Sequence, residues 1–103
     1  MSTYYKECFV EQVYHYDALQ SWQDLKSGDR LIIEYDSVHE KIKVKKDSLC
    51  LGELSEDDGK SILPFLKAGW TELFSAKLCL KSEIDSEGKR IKIIVYLEPN
   101  QKN

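Results

Sequence analysis

Glycine and proline are scarce in this chain, five and two among 103 residues. That scarcity excludes collagen-like repeats and the Pro/Gly/Ser-rich linkers that separate domains, so one domain over residues 1–103 is expected, with its core at about 8–97. Cysteine is sparse as well. Cys8, Cys50 and Cys79 form an odd, widely spaced set. This excludes a paired disulfide framework, and no histidine stands at zinc-ligand spacing; no metal site and no cofactor is expected. Free, buried thiols in a reducing cytoplasm are the expectation.

No apolar run approaches the ~18–20 residues of a membrane-spanning helix. The opening MSTYYKECFVEQ lacks the apolar core of a signal peptide, so a cytoplasmic protein with no membrane partner is expected. A TIM barrel or a two-half dinucleotide fold needs roughly twice this length. Nor is there any surplus of positive charge: fifteen Lys and Arg face eighteen Asp and Glu, for a net charge of -3. Domains devoted to a phosphate backbone usually carry a basic excess, so any nucleic-acid surface here must be local.

What the chain has in quantity is alternation. Leu31, Ile33 and Tyr35 alternate with Arg30, Ile32 and Glu34, and Ile42 and Val44 alternate with Lys41, Lys43 and Lys45. Both are the period of half-buried strands, the second with a lysine ladder on its outer side. The Phe, Val and Tyr content of Cys8 to Tyr16 predicts a first strand, and Ser48 to Leu54 predicts a short one bent at Gly52. Long strands are expected over Thr71 to Glu83, with Leu78 and Leu80 on one side, and over Arg90 to Leu97. A hairpin loop at residues 84–89 would join them.

Two helices are expected. The first runs over Ala18 to Leu25, capped by Asp17. The second runs from about Glu56 to Leu66 or Lys67, with acidic residues in its first turn and Ala68-Gly69 at its end. Pro64 removes a hydrogen bond from that helix, so it is expected either to kink it or to mark where its regular part begins. Many short strands with two helices favour a mainly β (α+β), small OB-like antiparallel barrel of about six strands.

Catalytic signatures are weak. Gly59-Lys60-Ser61 resembles the end of a phosphate loop, but Leu54 stands where the leading glycine belongs, and Glu56, Asp57 and Asp58 repel a triphosphate. His15 and His39 have no serine or cysteine signature around them, and the carboxylates of 53–58 and 83–87 read as solvated turns. No catalytic residue is expected. Charge, by contrast, is segregated: anions crowd residues 53–58 while 60–81 are mainly basic. Lys41, Lys43 and Lys45 with Lys77, Lys81, Arg90 and Lys92 could line neighbouring strands, with tyrosines or Trp70 as stacking surfaces. The bland alternative is ordinary strand solvation and a core role for the aromatics.

The stretch Leu51 to Trp70, LGELSEDDGKSILPFLKAGW, resembles the HIRAN domain: a strand closing on an apolar step with glycine, a polar helix start, then a leucine-containing helix before a glycine. Upstream, Gly28-Asp29-Arg30-Leu31-Ile32-Ile33-Glu34 and Ile42-Lys43-Val44 fit the same order, and Val95 falls in the closing strand. The resemblance implies an OB-related barrel. It also implies binding of single-stranded DNA or its 3′ ends, as in the HIRAN domains of eukaryotic fork-remodelling ATPases; the resemblance is to the small bacterial or phage members that stand alone. Tyr14 matches an aromatic ligand position of the family's first strand. The family's Asn-Pro-Tyr-Asp loop is shortened here to Tyr35-Asp36-Ser37-Val38-His39, and Glu53 and Glu56 stand where an aromatic or His and a basic residue are usual.

The resulting expectation is a non-catalytic DNA-binding module. It would use Tyr14, Tyr35, His39, Lys41, Lys43 and Lys45. The alternative is a barrel that has lost the DNA pocket and holds a protein partner or a second copy of itself.

Overall fold

A computed structural model describes residues 2–13, 16, 18, 20, 22–70, 72–82 and 91–98. Strands β1 (Thr3–Val10), β2 (Arg30–Asp36), β3 (Lys41–Lys46), β4 (Leu49–Glu53), β5 (Phe74–Lys81) and β6 (Ile91–Leu97) are joined with two short helices, α1 (Glu56–Gly59) and α2 (Leu63–Lys67). The strands form one sheet in the order β1-β6-β5-β2-β3-β4, every neighbouring pair antiparallel.

The alternation read from the sequence sets which side of each strand meets the core. Leu31 and Ile33 of β2, Ile42 and Val44 of β3, and Ile91, Ile93 and Val95 of β6 are all buried, with Leu51, Leu78 and Val10 among them. Each such side chain contributes about 1.5–3 kcal/mol of transfer free energy. The fold is thus mainly antiparallel β with six strands and two short helices, as expected. The sheet is not a closed barrel. Among the described residues its edge strands meet at one isolated bridge just past the end of β1, where Glu11 and Glu53 exchange backbone hydrogen bonds of 2.7 and 2.9 Å.

Several boundaries differ from the expectation. The first strand covers Thr3–Val10 rather than Cys8 to Tyr16. Gln12 takes φ 62°, which ends the extended run, whereas residues from Thr3 onward gain ladder partners on β6. The described part of the expected first helix is a 3₁₀ turn, Trp22–Asp24, with Ala18, Trp22 and Leu25 buried; Asp17 lies outside the described residues. In β5 a bulge between Leu78 and Leu80 shifts the register, so Leu78 is buried and Leu80 is 49% exposed instead of sharing its side. The β5–β6 pairing is antiparallel as expected; residues 84–89 and Arg90 lie outside the described set.

The second helical region is split. Ser55 caps α1 by accepting the Asp58 N–H at 3.1 Å, and Pro64 stands in the first turn of α2, where its missing N–H is harmless. Of the two outcomes expected for Pro64, the regular helix begins near it. Gly69 follows α2 with φ 94°, its N–H bonded to the Leu66 carbonyl at 3.1 Å. Among the cysteines only Cys8 is buried; Cys50 and Cys79 are half-buried free thiols, contrary to the expectation that all three are hidden. Among the described residues no helix is long and apolar enough to cross a membrane.

Candidate functional site

The β2–β3 hairpin carries most of the residues singled out in the sequence. Its register pairs Glu34 with Lys43 and Asp36 with Lys41, so anions of β2 and cations of β3 share the outer side. The contacts run diagonally. Lys43 Nζ lies 3.0 Å from Asp36 Oδ2, Lys45 Nζ lies 2.5 Å from Glu34 Oε1, and Lys46 Nζ lies 2.8 Å from Asp29 Oδ2. The lysine ladder is therefore half of a mixed-charge ladder. The hydrogen bond to Asp36 raises Lys43 above its ordinary pKa, and that to Glu34 does the same for Lys45.

Asp36 organises the hairpin tip. Its Oδ1 accepts the N–H groups of Val38 and His39 at 3.0 and 3.3 Å, and its Oδ2 contacts His39 Nδ1 at 2.9 Å as well as Lys43. These hydrogen bonds, His39 first and Lys43 next, hold the Asp36 carboxyl well below the usual range. His39 is exposed at the tip and engaged by Asp36. A second acid, Glu53, accepts a 2.5 Å hydrogen bond from the Tyr16 hydroxyl, and Lys43 Nζ sits 4.9 Å from the Tyr16 ring centroid. Burial, then the Glu53 hydrogen bond, push the Tyr16 phenol upward.

Two depressions flank Tyr35, which is half-buried between them. The smaller, about 420 Å³, is lined by Glu34, Asp36, Lys43, Lys45 and Cys50 with Tyr35. The larger, about 730 Å³, is an open groove between the start of β3 and the two helices. Its floor includes Ile42, Leu54, Leu63 and Pro64. Its charged lining comprises five carboxylates, Glu11, Glu40, Glu53, Glu56 and Asp57, against three ammonium groups, Lys41, Lys60 and Lys67. Lys67 Nζ stands 6.0 Å from the Tyr35 ring centroid.

The structure therefore brings Tyr35, Lys43 and Lys45 together with Glu34 and Asp36, directs Lys41 to the other groove, and leaves His39 at the tip. Tyr14 lies outside the described residues. Glu11 and Glu40 went unnoticed in the sequence; Glu11 joins the groove only because β1 and β4 touch, a contact 42 residues apart that no local pattern records. Among the described residues there is no group of three His, Cys, Asp or Glu side chains placed to hold a metal ion. No family model, curated protein or solved structure matches the chain.

Proposed function

We propose that this chain is a non-catalytic interaction module whose larger groove holds an extended, cationic segment of a protein partner. The carrying observation is the groove's charge: five carboxylates against three ammonium groups over an apolar floor. Lysine and arginine side chains lay their methylene stems along such a floor while their charged ends reach the carboxylates. A polyanion entering the same space is opposed by these five carboxylates.

Titrating the ¹⁵N-labelled protein with a lysine- and arginine-rich peptide tests the reading. Shifts clustered at Gln12, Ile42, Leu54 and Leu63, and weakened by Glu53→Gln with Glu56→Gln, support it. Shifts scattered over all acidic surfaces, or absent at low salt, overturn it.

A second reading, single-stranded DNA or a 3′ end held by Tyr35, His39, Lys41, Lys43 and Lys45, is favoured by one observation. Tyr35 and Lys41 share the larger groove, and Lys41 makes no ion pair among the described residues. Lys43 and Lys45 enter that reading already neutralised. An oligonucleotide titration that leaves the hairpin amides unmoved removes it.

A further inference from the structure

The sheet opens along its middle. The Leu54 N–H donates to the Ile42 carbonyl at 2.9 Å, so the backbone groups of Ile42 face β4, and the alternation of an antiparallel ladder turns those of Lys41, Lys43 and Lys45 toward β2. Their register partners Asp36, Glu34 and Ile32 therefore direct their N–H and C=O groups to β3, while Leu31, Ile33 and Tyr35 aim theirs at β5. Only Leu31 is met there. The β2–β5 ladder holds Arg30 opposite Lys77 and Leu31 opposite Ala76, then ends, although β2 runs on to Asp36 and β5 starts as early as Phe74. Ile33 and Tyr35 have no rung on β5.

Where the strands part, an open cavity of about 570 Å³ reaches both lips of the seam: Ile32 and Ile33 on one, Phe74 and Ser75 on the other. Ile33 and Phe74 are the pair that would make the next hydrogen-bonded rung. The outer edge of β1, by comparison, is guarded, being bulged between Tyr4 and Lys6 and crossed by the Lys6 side chain, which donates to the Asp58 carbonyl at 3.1 Å. The seam has no such guard. No proline lies within 30–36 or 72–77, and Ile32, projecting on the outer side, is 53% exposed. Its charges are mixed: Arg30 and Lys77 line it with Asp47, Glu72 and Glu98, and Glu98 feels the field of Arg30 and accepts hydrogen bonds from Ser2 at 2.7 and 2.9 Å. An ion of either sign meets its like there, so what distinguishes the seam is its unmatched main chain.

We propose that the seam between β2 and β5 takes an added strand: an extended, uncharged segment of a protein partner that hydrogen-bonds to the backbone groups of Ile33 and Tyr35. Strand addition draws its affinity from main-chain hydrogen bonds and its selectivity from alternate side chains. Residues of the segment on the outer side lie beside Ile32, and those on the inner side turn toward the buried side chains of Ile33 and Phe74, so β-branched residues suit both. The inference goes beyond the cationic-partner reading and does not rest on it. That groove recognises charged side-chain ends, the seam an uncharged main chain; the two cavities share no lining residue, and Tyr35 is the one residue that both readings use.

The test uses the full ¹⁵N-labelled chain and one probe, the acetylated and amidated peptide Val-Thr-Val-Thr-Val. In the free protein the Ile33 and Tyr35 amides are expected to exchange with solvent faster than the Glu34 amide, which is bonded to β3. Peptide at about four times its Kd is expected to slow exchange at Ile33 and Tyr35 about fivefold, at low salt and at about 1 M salt alike. A fully N-methylated twin, which keeps every side chain and loses every donor, is expected not to bind. Ile32→Lys is expected to weaken binding about two- to fivefold, whereas Ile32→Val retains it. An Ile33 amide already protected in the free protein, equal binding of the N-methylated twin, unchanged affinity in Ile32→Lys, or no shift at millimolar peptide overturns the proposal. Glu53→Gln with Glu56→Gln should leave this peptide's affinity unchanged, so the seam and the cationic-partner groove stand or fall separately.

Discussion

Gly52 and Val10 meet where the sheet's edge strands touch: a Cβ on Gly52 collides with Val10 Cγ1 and lies 2.5 Å from the Glu11 carbonyl oxygen. The paired hydrogen bonds between Glu11 and Glu53 sit beside this contact. A methyl group there must push β1 away from β4. Gly52→Ala is expected to lower stability by about 1–3 kcal/mol through overpacking, and to remove hydrogen-exchange protection at the Glu11 and Glu53 amides. Gly28→Ala is the comparison. Its φ of 94° brings left-handed strain of about 1–2 kcal/mol, but nothing lies within 4 Å, so the bridge amides should stay protected. An unchanged urea midpoint and protected bridge amides in Gly52→Ala would contradict the close approach.

Asp36 makes the hairpin acid-sensitive. Its folded pKa is held below the ordinary aspartate value of 3.8 by His39, Lys43 and the backbone N–H of His39. A depressed folded value means that the stabilisation is present above the unfolded pKa and is lost as pH falls through the folded one. The Tm gap between the wild type and Asp36→Asn should therefore be largest near neutrality and close progressively below about pH 4. Asp29, lowered first by Lys46, and Glu98, lowered first by Ser75, act with the same sign, so the variant flattens only part of the acid limb. A gap that is constant with pH would show that Asp36 acts only through shape.

The cysteines should separate into two classes. Burial first, and then the field of Asp58, raise the Cys8 thiol to about 11, and only 3% of Cys8 is exposed. The thiolate is the reactive species, so Cys8 should resist a disulfide reagent in the folded protein. Cys50 and Cys79 are half-buried and should be modified first. Peptide mapping after timed quenching checks this; labelling of Cys8 as fast as the other two, without denaturant, would show that β1 opens.

The Lys45–Glu34 pair, although 2.5 Å apart, has side chains 33% and 53% exposed. Solvent screening limits such pairs, and a double-mutant cycle should return a coupling of about 0.2–1 kcal/mol. The coupling should shrink further at about 1 M salt. A larger, salt-insensitive value would mean that the mixed-charge ladder is better shielded than its exposure indicates.

Period-2 alternation determined β2, β3 and β6 almost residue for residue, because one side of each faces the core and a one-residue slip would turn every Ile and Val into water. Pro64 and Gly69 marked where α2 begins and ends because their backbone restrictions are local. Other features are set by partners distant in the chain. β1 was misplaced because apolar content at residues 8–16 does not reveal that β6 supplies a ladder back to Thr3. The bulge beside Leu78 and the opposition of Arg30 to Lys77 exist only once β5 has chosen its neighbours. The charge on the β3 lysines was visible in the sequence, but its neutralisation was not: that depended on the diagonal register with Glu34 and Asp36. Local patterning thus decided which residues form strands and which sides are wet. Tertiary pairing decided which cation meets which anion, because ion pairs across a sheet depend on strand order and register rather than on spacing along the chain.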